Sequence, residues 1–575
     1  MTTSLLIPHN SSLPAPGAKA TWGRLLGASL ALAAAELAQR EDRPVVLLAE
    51  DPRHADQLET EVRFFAGDDI PIEHFVEWET LPWDSFSPHQ DIISQRLRVL
   101  ATLPSMQRGV VIAAATSLQQ RLPPVDYVAA RSLSLRQGQE LPRAPFTDSL
   151  VASGYLRVPQ VSEHGEFAVR GSLIDVFPMG ADAPVRIDFF DDDIESLRYF
   201  SAENQLSGER IDAVEILPAR EVPLDAEAIK QFRDSYRERF EGQPGKSRVY
   251  SEISNGIAHG GIEYYLPLFF ATTASLTEFL PPDSIVLAPT GLDSLLEQFW
   301  DEARERYELC SLDRERPILT VEETFIAPGA ISDSLAPFSS LGYASQSIAE
   351  TRGSRNFDTR LPPAMKIEAR YEDAAASLLQ FLRDFDGRVL FTTDSPGRRE
   401  QLFDMLSGRG LDLTRIETWQ EFHEDTHRIG VAIAPIDNGI LLPAAEVAVI
   451  SEQQLFGERT KARKRRRKSD RDPETIIRQL NDLEPGSPVV HEEYGVGRYL
   501  GLTTLEAGGI KAEFLHLEYA DNDKLYVPVH ALDLISRYTG ASPDHAPLHR
   551  LGSDQWAKAR KRAISKIRDV AAELL

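Results

Sequence analysis

The stretch from Ser487 to Tyr538 constrains the fold of this chain more than any other. Apolar and polar residues alternate through Glu513–Tyr519 and again through Lys524–Val529, and a period of two predicts β-strands with one solvated face. Turn-forming glycines separate the strands: Gly495, Gly497, Gly501, Gly508 and Gly509. So short a set of strands predicts a small curled β-barrel of about four or five strands, whose edges can pair with another chain. A purely structural β module without a partner is the alternative.

Residues 21–120 alternate helical and strand patterns. Apolar residues recur at helical spacing in Trp22–Gln39 and Asp51–Phe65, and Val45–Leu48 and Val110–Ala113 form apolar strand runs. Alternating strands and helices predict a parallel sheet with helices on both faces. The sequence therefore predicts an α/β domain at this end of the chain.

A nucleotide-binding domain of this type needs a glycine-rich loop that ends in Gly-Lys-Ser/Thr before its first helix. Residues Thr21–Ala28 read TWGRLLGA, without the lysine and the hydroxyl residue. In Gly242–Ser247 the first glycine lies two residues too close to the Gly-Lys-Ser for that spacing. We predict no ATP site and no catalytic, cofactor-binding or metal-binding residue in this chain. An active helicase is the rival hypothesis, and ATP turnover with DNA would support it.

Between Arg131 and Pro218 the pattern changes to strands joined by turns that contain proline and glycine. This change predicts an antiparallel domain inserted between two halves of the α/β domain. Asp191, Asp192 and Asp193 lie next to each other, and neighbouring strand residues point to opposite faces. We therefore predict a solvated turn there and not a metal site.

Residues 365–457 predict a further α/β unit, with a helix at Glu372–Phe385 and a strand at Val389–Thr392. His423 and His427 have the H-E-x-x-H spacing of zinc hydrolases, which places both rings on one helix face. A strand is predicted to begin only three residues later, at Gly430. We expect no zinc site, and stoichiometric zinc in the purified protein would contradict this.

Net charge, cysteine content and the length of apolar runs limit the partners and the cellular location expected for this chain. The net charge is −26, and an acidic surface repels duplex DNA, so we expect proteins and not DNA as the partners of most of this chain. A single cysteine, Cys310, excludes an internal disulfide and suits the cytoplasm. The longest apolar run, near Ala28–Ala35, is too short to span a membrane.

Arg459–Lys468 is an exception to the acidic character, because it is strongly basic and contains no acidic residue. Three interpretations remain open: a solvated linker, a nucleic-acid contact, or a tether to an acidic face of the same protein. The candidate contact residues are Arg463, Lys464, Arg465, Arg466, Arg467 and Lys468.

Several segments resemble one known family. VVHEEYGVGRYLGLTTLEAGG followed by YADNDKLYVPV resembles the RNA-polymerase-interacting domain of the bacterial transcription-repair coupling factors, relatives of the CarD-type regulators. Three further segments match that family: ETLPWDSFSPHQDIIS (Glu79–Ser94), GEFAVRGSLIDVFPMG (Gly165–Gly180) and RIDFFDDDIESLR (Arg186–Arg198). The resemblance extends over nearly the whole chain.

The resemblance implies a multidomain α/β and β fold. A helicase-like parallel α/β domain, similar to the first domain of UvrB with its phosphate loop lost, occupies residues 1–130 and 219–350, and an antiparallel UvrA-binding domain is inserted at 131–218. A second small α/β domain follows at 351–457. A basic linker (458–484) leads to a CarD-like β-barrel (485–545), and residues 546–575 begin a helix.

By the same resemblance, Arg170, Arg186 and Phe190 correspond to residues that contact UvrA. Thr504, Leu505 and Glu506 correspond to an edge motif that contacts the RNA polymerase β subunit. The structural alternatives are a core position for Phe190 with surface arginines, and a core position for Leu505 with Glu506 as a surface charge. A scaffold that binds neither partner is a further alternative.

The family also implies what this sequence does not contain. The sequence stops within a helical pattern at Ser553–Leu575, and in the family this helix leads to ATP-driven translocase domains. We therefore expect a fragment without the motor, with ATP, Mg²⁺ and most contacts to duplex DNA belonging to the missing domains. The UvrA site, which the family implies is masked in the resting protein, should be free here.

Overall fold

The structure is a computed structural model that describes residues 4–8, 13–240, 247–313, 315–351, 353–365, 367, 375–456, 486, 488–491, 494–507, 510–520, 523–528, 535–537, 548 and 550. The basic residues 463–468 and the predicted helix at 553–575 lie outside them. The chain divides into two compact units, one made largely of Met1–Leu361 and the other of residues from Pro362 onward. In the described part of the chain, no helix has the length and apolar character needed to cross a membrane.

The first run of the first unit alternates strands and helices, as predicted. Its elements are β1 (Lys19–Gly23), α1 (Ser29–Arg40), β2 (Pro44–Ala49), α2 (Pro52–Ala66), β3 (Ile72–Phe75), α3 (Gln90–Thr102), β4 (Gly109–Ala114) and α4 (Val125–Arg131). Every residue of β2 and β4 is buried, as strands covered on both faces require. The helix predicted from Trp22 begins only at Ser29, because Trp22 belongs to β1 and Gly27, with φ of 55°, turns the chain before the helix.

The inserted domain follows. Its elements are β5 (Leu133–Arg136), α5 (Arg143–Ala152), β6 (Leu156–Arg157), β7 (Glu166–Arg170), β8 (Leu173–Val176), β9 (Val185–Phe190), β10 (Asp193–Phe200), β11 (Ser207–Ile211) and β12 (Ala213–Ile216). The larger sheet has the order β11-β10-β9-β8-β7-β6 and is antiparallel except for the parallel β6–β7 pair. β5 and β12 form a separate two-stranded pair.

The chain then returns to the parallel sheet. The elements are α6 (Ala226–Arg239), α7 (Arg248–Ser254), β13 (Ile285–Pro289), α8 (Leu292–Cys310), α9 (Val321–Thr324), α10 (Pro328–Leu335), β14 (Ser339–Tyr343) and β15 (Ser354–Asn356). The sheet order is β15-β1-β14-β13-β2-β4-β3, and all pairs are parallel. The domain boundary expected at 351 would separate β15 from this sheet, whereas its pairing with β1 places it in the first unit.

A fully buried ion pair joins the chain before the insertion to the chain after it. The Arg96 guanidinium donates from Nε to the Glu221 carboxylate at 2.5 Å. Its Nη1 donates to the Val76 carbonyl at 2.7 Å and to Gln120 Oε1 at 2.9 Å, and the guanidinium lies 4.3 Å from the centre of the Phe75 ring. These contacts satisfy a charge that would be costly to bury alone.

The second unit contains the predicted small α/β domain. Its elements are α11 (Ala376–Asp384), β16 (Arg388–Thr393), α12 (Pro396–Ser407), β17 (Thr414–Ile416), α13 (Trp419–Glu424), β18 (Ile429–Ile433), β19 (Ile440–Leu442), β20 (Val447–Ser451) and α14 (Glu452–Phe456). The sheet order is β17-β18-β16-β20-β19. The beginning of the helix predicted at Glu372 lies outside the described residues.

The stretch 488–537 forms a five-stranded antiparallel sheet. Its strands are β21 (Pro488–His491), β22 (Gly495–Ala507), β23 (Ile510–Glu518), β24 (Lys524–Pro528) and β25 (Ile535–Arg537). The order is β24-β23-β22-β21-β25. Leu515, Leu517 and Val527 are buried together, as the predicted alternation requires.

Candidate protein-binding surfaces

The register of the inserted sheet brings the three predicted UvrA-contacting residues to one face. Arg170 pairs with Leu173, which pairs with Asp188, and directly opposite residues share a face. Arg186 and Phe190 each lie two residues from Asp188 on β9, so they also belong to this face. We refer to it as the outer face; the opposite face packs on the main core of the first unit through Ile187 and other apolar residues.

Phe190 is the last residue of β9 and is 73% exposed, whereas the preceding Phe189 is 3% exposed in the core. The exposure excludes the interpretation of Phe190 as a core residue. Phe190 lines an open recess of about 400 Å³ together with Gln137, Gly138, Asp193, Ile194 and Glu195. An exposed aromatic ring beside a recess is a common anchor in protein interfaces.

The two predicted arginines differ in their environment. Arg170 is exposed, and its Nη2 donates to the Pro159 carbonyl at 3.0 Å. Arg186 has a side chain that is 16% exposed, and it forms two hydrogen bonds to the buried Asp175 carboxylate, at 2.7 and 2.9 Å. These hydrogen bonds raise the pKa of Arg186. Arg186 also lies over the Phe200 ring, 4.8 Å from its centre, so much of its bonding capacity is used within the domain.

Asp191 and Asp192 form the turn between β9 and β10, and Asp193 is the first residue of β10. All three are exposed, and Asp191 has a left-handed φ of 59°, a conformation that aspartate tolerates better than most residues. The predicted solvated turn is confirmed. Its carboxylates lie next to Phe190 and make the surroundings of that ring acidic.

The predicted polymerase-contacting residues lie on β22. Thr504, Leu505 and Glu506 pair with Glu513, Ala512 and Lys511 of β23, respectively; their side chains lie outside the described part of the structure. β21 pairs with β22 only over Gly495–Arg498. Among the strands that the structure describes, none pairs with the other side of Leu505, so the backbone there can accept an added strand.

The loop where a nucleotide-binding domain would hold phosphate is bonded to its own chain. The Leu26 N–H donates to Thr359 Oγ1 at 3.2 Å, and the Thr359 hydroxyl donates to the Arg24 carbonyl. Arg24 also contacts Asp358 at 3.4 Å. A phosphate-binding loop directs its backbone N–H groups toward a ligand. Here the Leu26 N–H is directed toward Thr359, in the segment after β15.

The two histidines with zinc-hydrolase spacing do not share a helix face. α13 ends at Glu424, and His427 lies beyond it, where its Nδ1 is 2.7 Å from Asp425.

A different cluster, which the sequence analysis missed, joins α2 to β3. One ligand atom each of Asp56, Glu59 and His74 lies within 4.8 Å of the others, and His74 Nδ1 is 2.8 Å from Glu59. Arg63 already donates to the other Glu59 oxygen at 3.0 Å, so both oxygens of this carboxylate have partners within the chain. Asp56 and Glu59 are three residues apart on α2, so the sequence could place them on one helix face. His74 lies on β3, and only the folded structure shows that it is close to them.

Three family descriptions match parts of this chain. The family description "UvrB interaction domain" matches residues 133–222, which include the outer face. "CarD-like/TRCF RID domain" matches 483–539, and "MFD, D3 domain" matches 381–455.

Two relatives are similar over nearly the whole chain. The transcription-repair-coupling factor of Escherichia coli (strain K12) is 40% identical over 554 residues, which is 96% of this chain and 48% of that protein. The Haemophilus influenzae protein of the same name is 38% identical over 555 residues, again 96% of this chain and 48% of that protein. Over the part that it spans, the chain belongs to the transcription-repair-coupling factor family.

More distant members of the family match over a similar extent. The Bacillus subtilis (strain 168) factor is 23% identical over 568 residues, 96% of this chain and 48% of that protein. The chain therefore spans about half the length of the curated relatives it matches. Its three matched domains correspond to the inserted domain, the small α/β domain and the five-stranded sheet.

Proposed function

We propose that this chain is the adaptor part of a cytoplasmic transcription-coupled DNA repair factor. Its inserted domain binds UvrA, and its C-terminal β domain binds the β subunit of a stalled RNA polymerase. Family membership and the two interaction domains support this proposal. In the whole protein, ATP-driven translocase domains displace the polymerase. Meanwhile the β domain holds the polymerase and the inserted domain recruits excision repair through UvrA.

The observation that carries the UvrA part is the exposure of Phe190. A phenylalanine that is 73% exposed on a sheet face gains free energy when a partner covers it, on the order of 1.5–3 kcal/mol for full burial. Arg170 lies on the same face and offers a planar, permanently charged fork to a carboxylate. Together they provide an apolar anchor and an ionic contact.

The polymerase part rests on the side of β22 where, among the described strands, none pairs with residues 504–506. An extended segment of the polymerase β subunit adds to this strand through backbone hydrogen bonds, with Leu505 as the apolar anchor and Glu506 as the charged contact. Since the neighbouring pairing ends at Arg498, residues 504–506 can accept this strand without displacing β21.

We propose that the chain itself is not an enzyme and carries no cofactor. The loop at Leu26 bonds to Thr359, and the sequence lacks the lysine of a phosphate-binding loop. ATP, Mg²⁺ and most duplex DNA contacts belong to the translocase domains of the whole factor.

Binding of the chain to purified UvrA and to RNA polymerase tests the proposal. Arg170→Ala combined with Phe190→Ala should abolish UvrA binding and retain polymerase binding, because the altered residues belong to the inserted domain alone. Leu505→Arg should give the converse result, because it places a charge in an apolar contact. Undiminished binding by the altered variant would contradict the corresponding site. ATP hydrolysis by the chain above background, with DNA present, would contradict its non-enzymatic role.

A further inference from the structure

Three arginines form a row across the outer face of the inserted domain. Arg186 of β9 lies directly opposite Arg198 of β10, which lies directly opposite Arg210 of β11. On its other side, Arg186 lies opposite Asp175 of β8. Strand spacing makes the row of three about 10 Å wide, and like charges directly opposite each other on a sheet are unfavourable.

The three arginines of the row differ in whether a carboxylate compensates their charge. Asp175 forms an ion pair with Arg186. Among the residues that the structure describes, no carboxylate lies within 4.0 Å of the guanidinium of Arg198 or Arg210. Arg198 is half-buried and Arg210 is exposed. Two adjacent charges on the accessible part of the row therefore lack a partner within the described part of the chain.

We propose that Arg198 and Arg210 dock an acidic segment of UvrA. This inference rests on the proposed function of the inserted domain and extends its binding surface. Phe190 lies four residues from Arg186 on β9, which is about 13 Å along the strand. The partner therefore places an apolar pocket over Phe190 and carboxylates over Arg198 and Arg210. The Arg186 side chain is mostly covered, and its hydrogen bonds to Asp175 fix its position at one end of the row.

The distribution of charge on this face favours a protein partner over nucleic acid. Asp188 lies between the arginine row and Phe190 on β9, and Asp193 lies opposite Phe190 on β10. A duplex carries a phosphate charge about every 1.7 Å, so a duplex laid along β9 would also meet these carboxylates. A short acidic protein segment can pair with the row and leave the aspartates uncovered or paired with its own cations.

The test measures the affinity of the full chain for UvrA and for duplex DNA at low and moderate salt. Charge reversal at both positions, Arg198→Glu with Arg210→Glu, should weaken UvrA binding about tenfold or more at low salt, with a smaller difference at higher salt. The pair Arg198→Lys and Arg210→Lys should retain most of the affinity. Arg136→Glu is the matched control, because Arg136 is an exposed arginine of β5 in the same domain but outside the row.

The outcomes separate this inference from the proposed function. If the unaltered chain does not bind UvrA, the proposed function itself is wrong. If the unaltered chain binds UvrA and the double reversal behaves like Arg136→Glu, the arginine row is not part of the interface. A double reversal that loses DNA binding and keeps UvrA binding would assign the row to nucleic acid and overturn the inference. Where the reversal disturbs folding, as judged by circular dichroism, Arg198→Gln with Arg210→Gln replaces it.

Discussion

Glu263 is a buried carboxyl group whose titration should make the stability of the first unit depend on pH. It lies in a 3₁₀ helix at Ile262–Leu268 and is 7% exposed, and its Oε2 accepts a hydrogen bond from Ser87 at 2.8 Å. Burial raises the pKa of Glu263 from 4.5 to about 7, and the nearby Glu221 carboxylate adds to the effect. Folding therefore favours the protonated form of this side chain.

The sign and size of the effect follow from proton linkage. Below pH 4.5 the carboxyl is neutral in both the folded and the unfolded chain. Between pH 4.5 and about 7 the unfolded chain loses its proton while the folded chain keeps it, so the free energy of unfolding falls as pH rises. Above the folded pKa the loss is complete and amounts to about 3 kcal/mol, because one pKa unit corresponds to about 1.4 kcal/mol.

Glu263→Gln removes the titration and keeps an acceptor for Ser87. We expect the variant to match the unaltered chain near pH 4.5 and to be more stable by up to about 3 kcal/mol at pH 8. Urea unfolding followed by tryptophan fluorescence measures the difference, since Trp78 packs edge-on against the neighbouring Tyr264. Glu297→Gln, at an exposed position of α8, is the control for charge. A stability difference that does not change between pH 4.5 and pH 8 would refute the reasoning.

Three further predictions concern individual contacts. Glu221→Ala should lower the free energy of unfolding by about 3–5 kcal/mol, because it leaves the fully buried Arg96 without its carboxylate; urea unfolding measures this, and a loss below about 1 kcal/mol would contradict it. Asp175→Asn should weaken both stability and UvrA binding, because it releases Arg186 from its position; thermal unfolding beside a UvrA titration checks both, and unchanged binding would argue against a positioning role. Gly439→Ala should destabilise the small α/β domain without affecting UvrA binding, because the added Cβ would lie 2.1 Å from the Val449 carbonyl oxygen; proteolysis of that domain is the measurement, and equal resistance would refute the clash.

The periodicity of apolar residues predicted those strands whose own sequence shows which of their faces are buried. β2 and β4 are continuous apolar runs, and β23 and β24 alternate, so each could be recognised alone. The helix predicted from Trp22 began too early because the apolar residues of β1 fit a helical period as well as a buried strand. β15 was assigned to the next domain because its place beside β1 depends on a partner more than 300 residues away.

Local sequence patterns also could not predict much of the candidate site. The family resemblance selected Arg170, Arg186 and Phe190, but neither resemblance nor spacing indicates that Asp175 holds Arg186. The row of Arg186, Arg198 and Arg210 exists only because two antiparallel registers align positions separated by 12 residues. Register depends on turns, bulges and burial together, and the bulges in β10 make the alignment impossible to count from sequence alone.

In the proposed function, one chain holds UvrA and RNA polymerase at the same time through separate domains. Immobilised RNA polymerase should retain UvrA only when this chain is added, and the chain with Phe190→Ala should stay on the polymerase without retaining UvrA. Displacement of the chain from polymerase by UvrA, or retention of UvrA without the chain, would contradict the account.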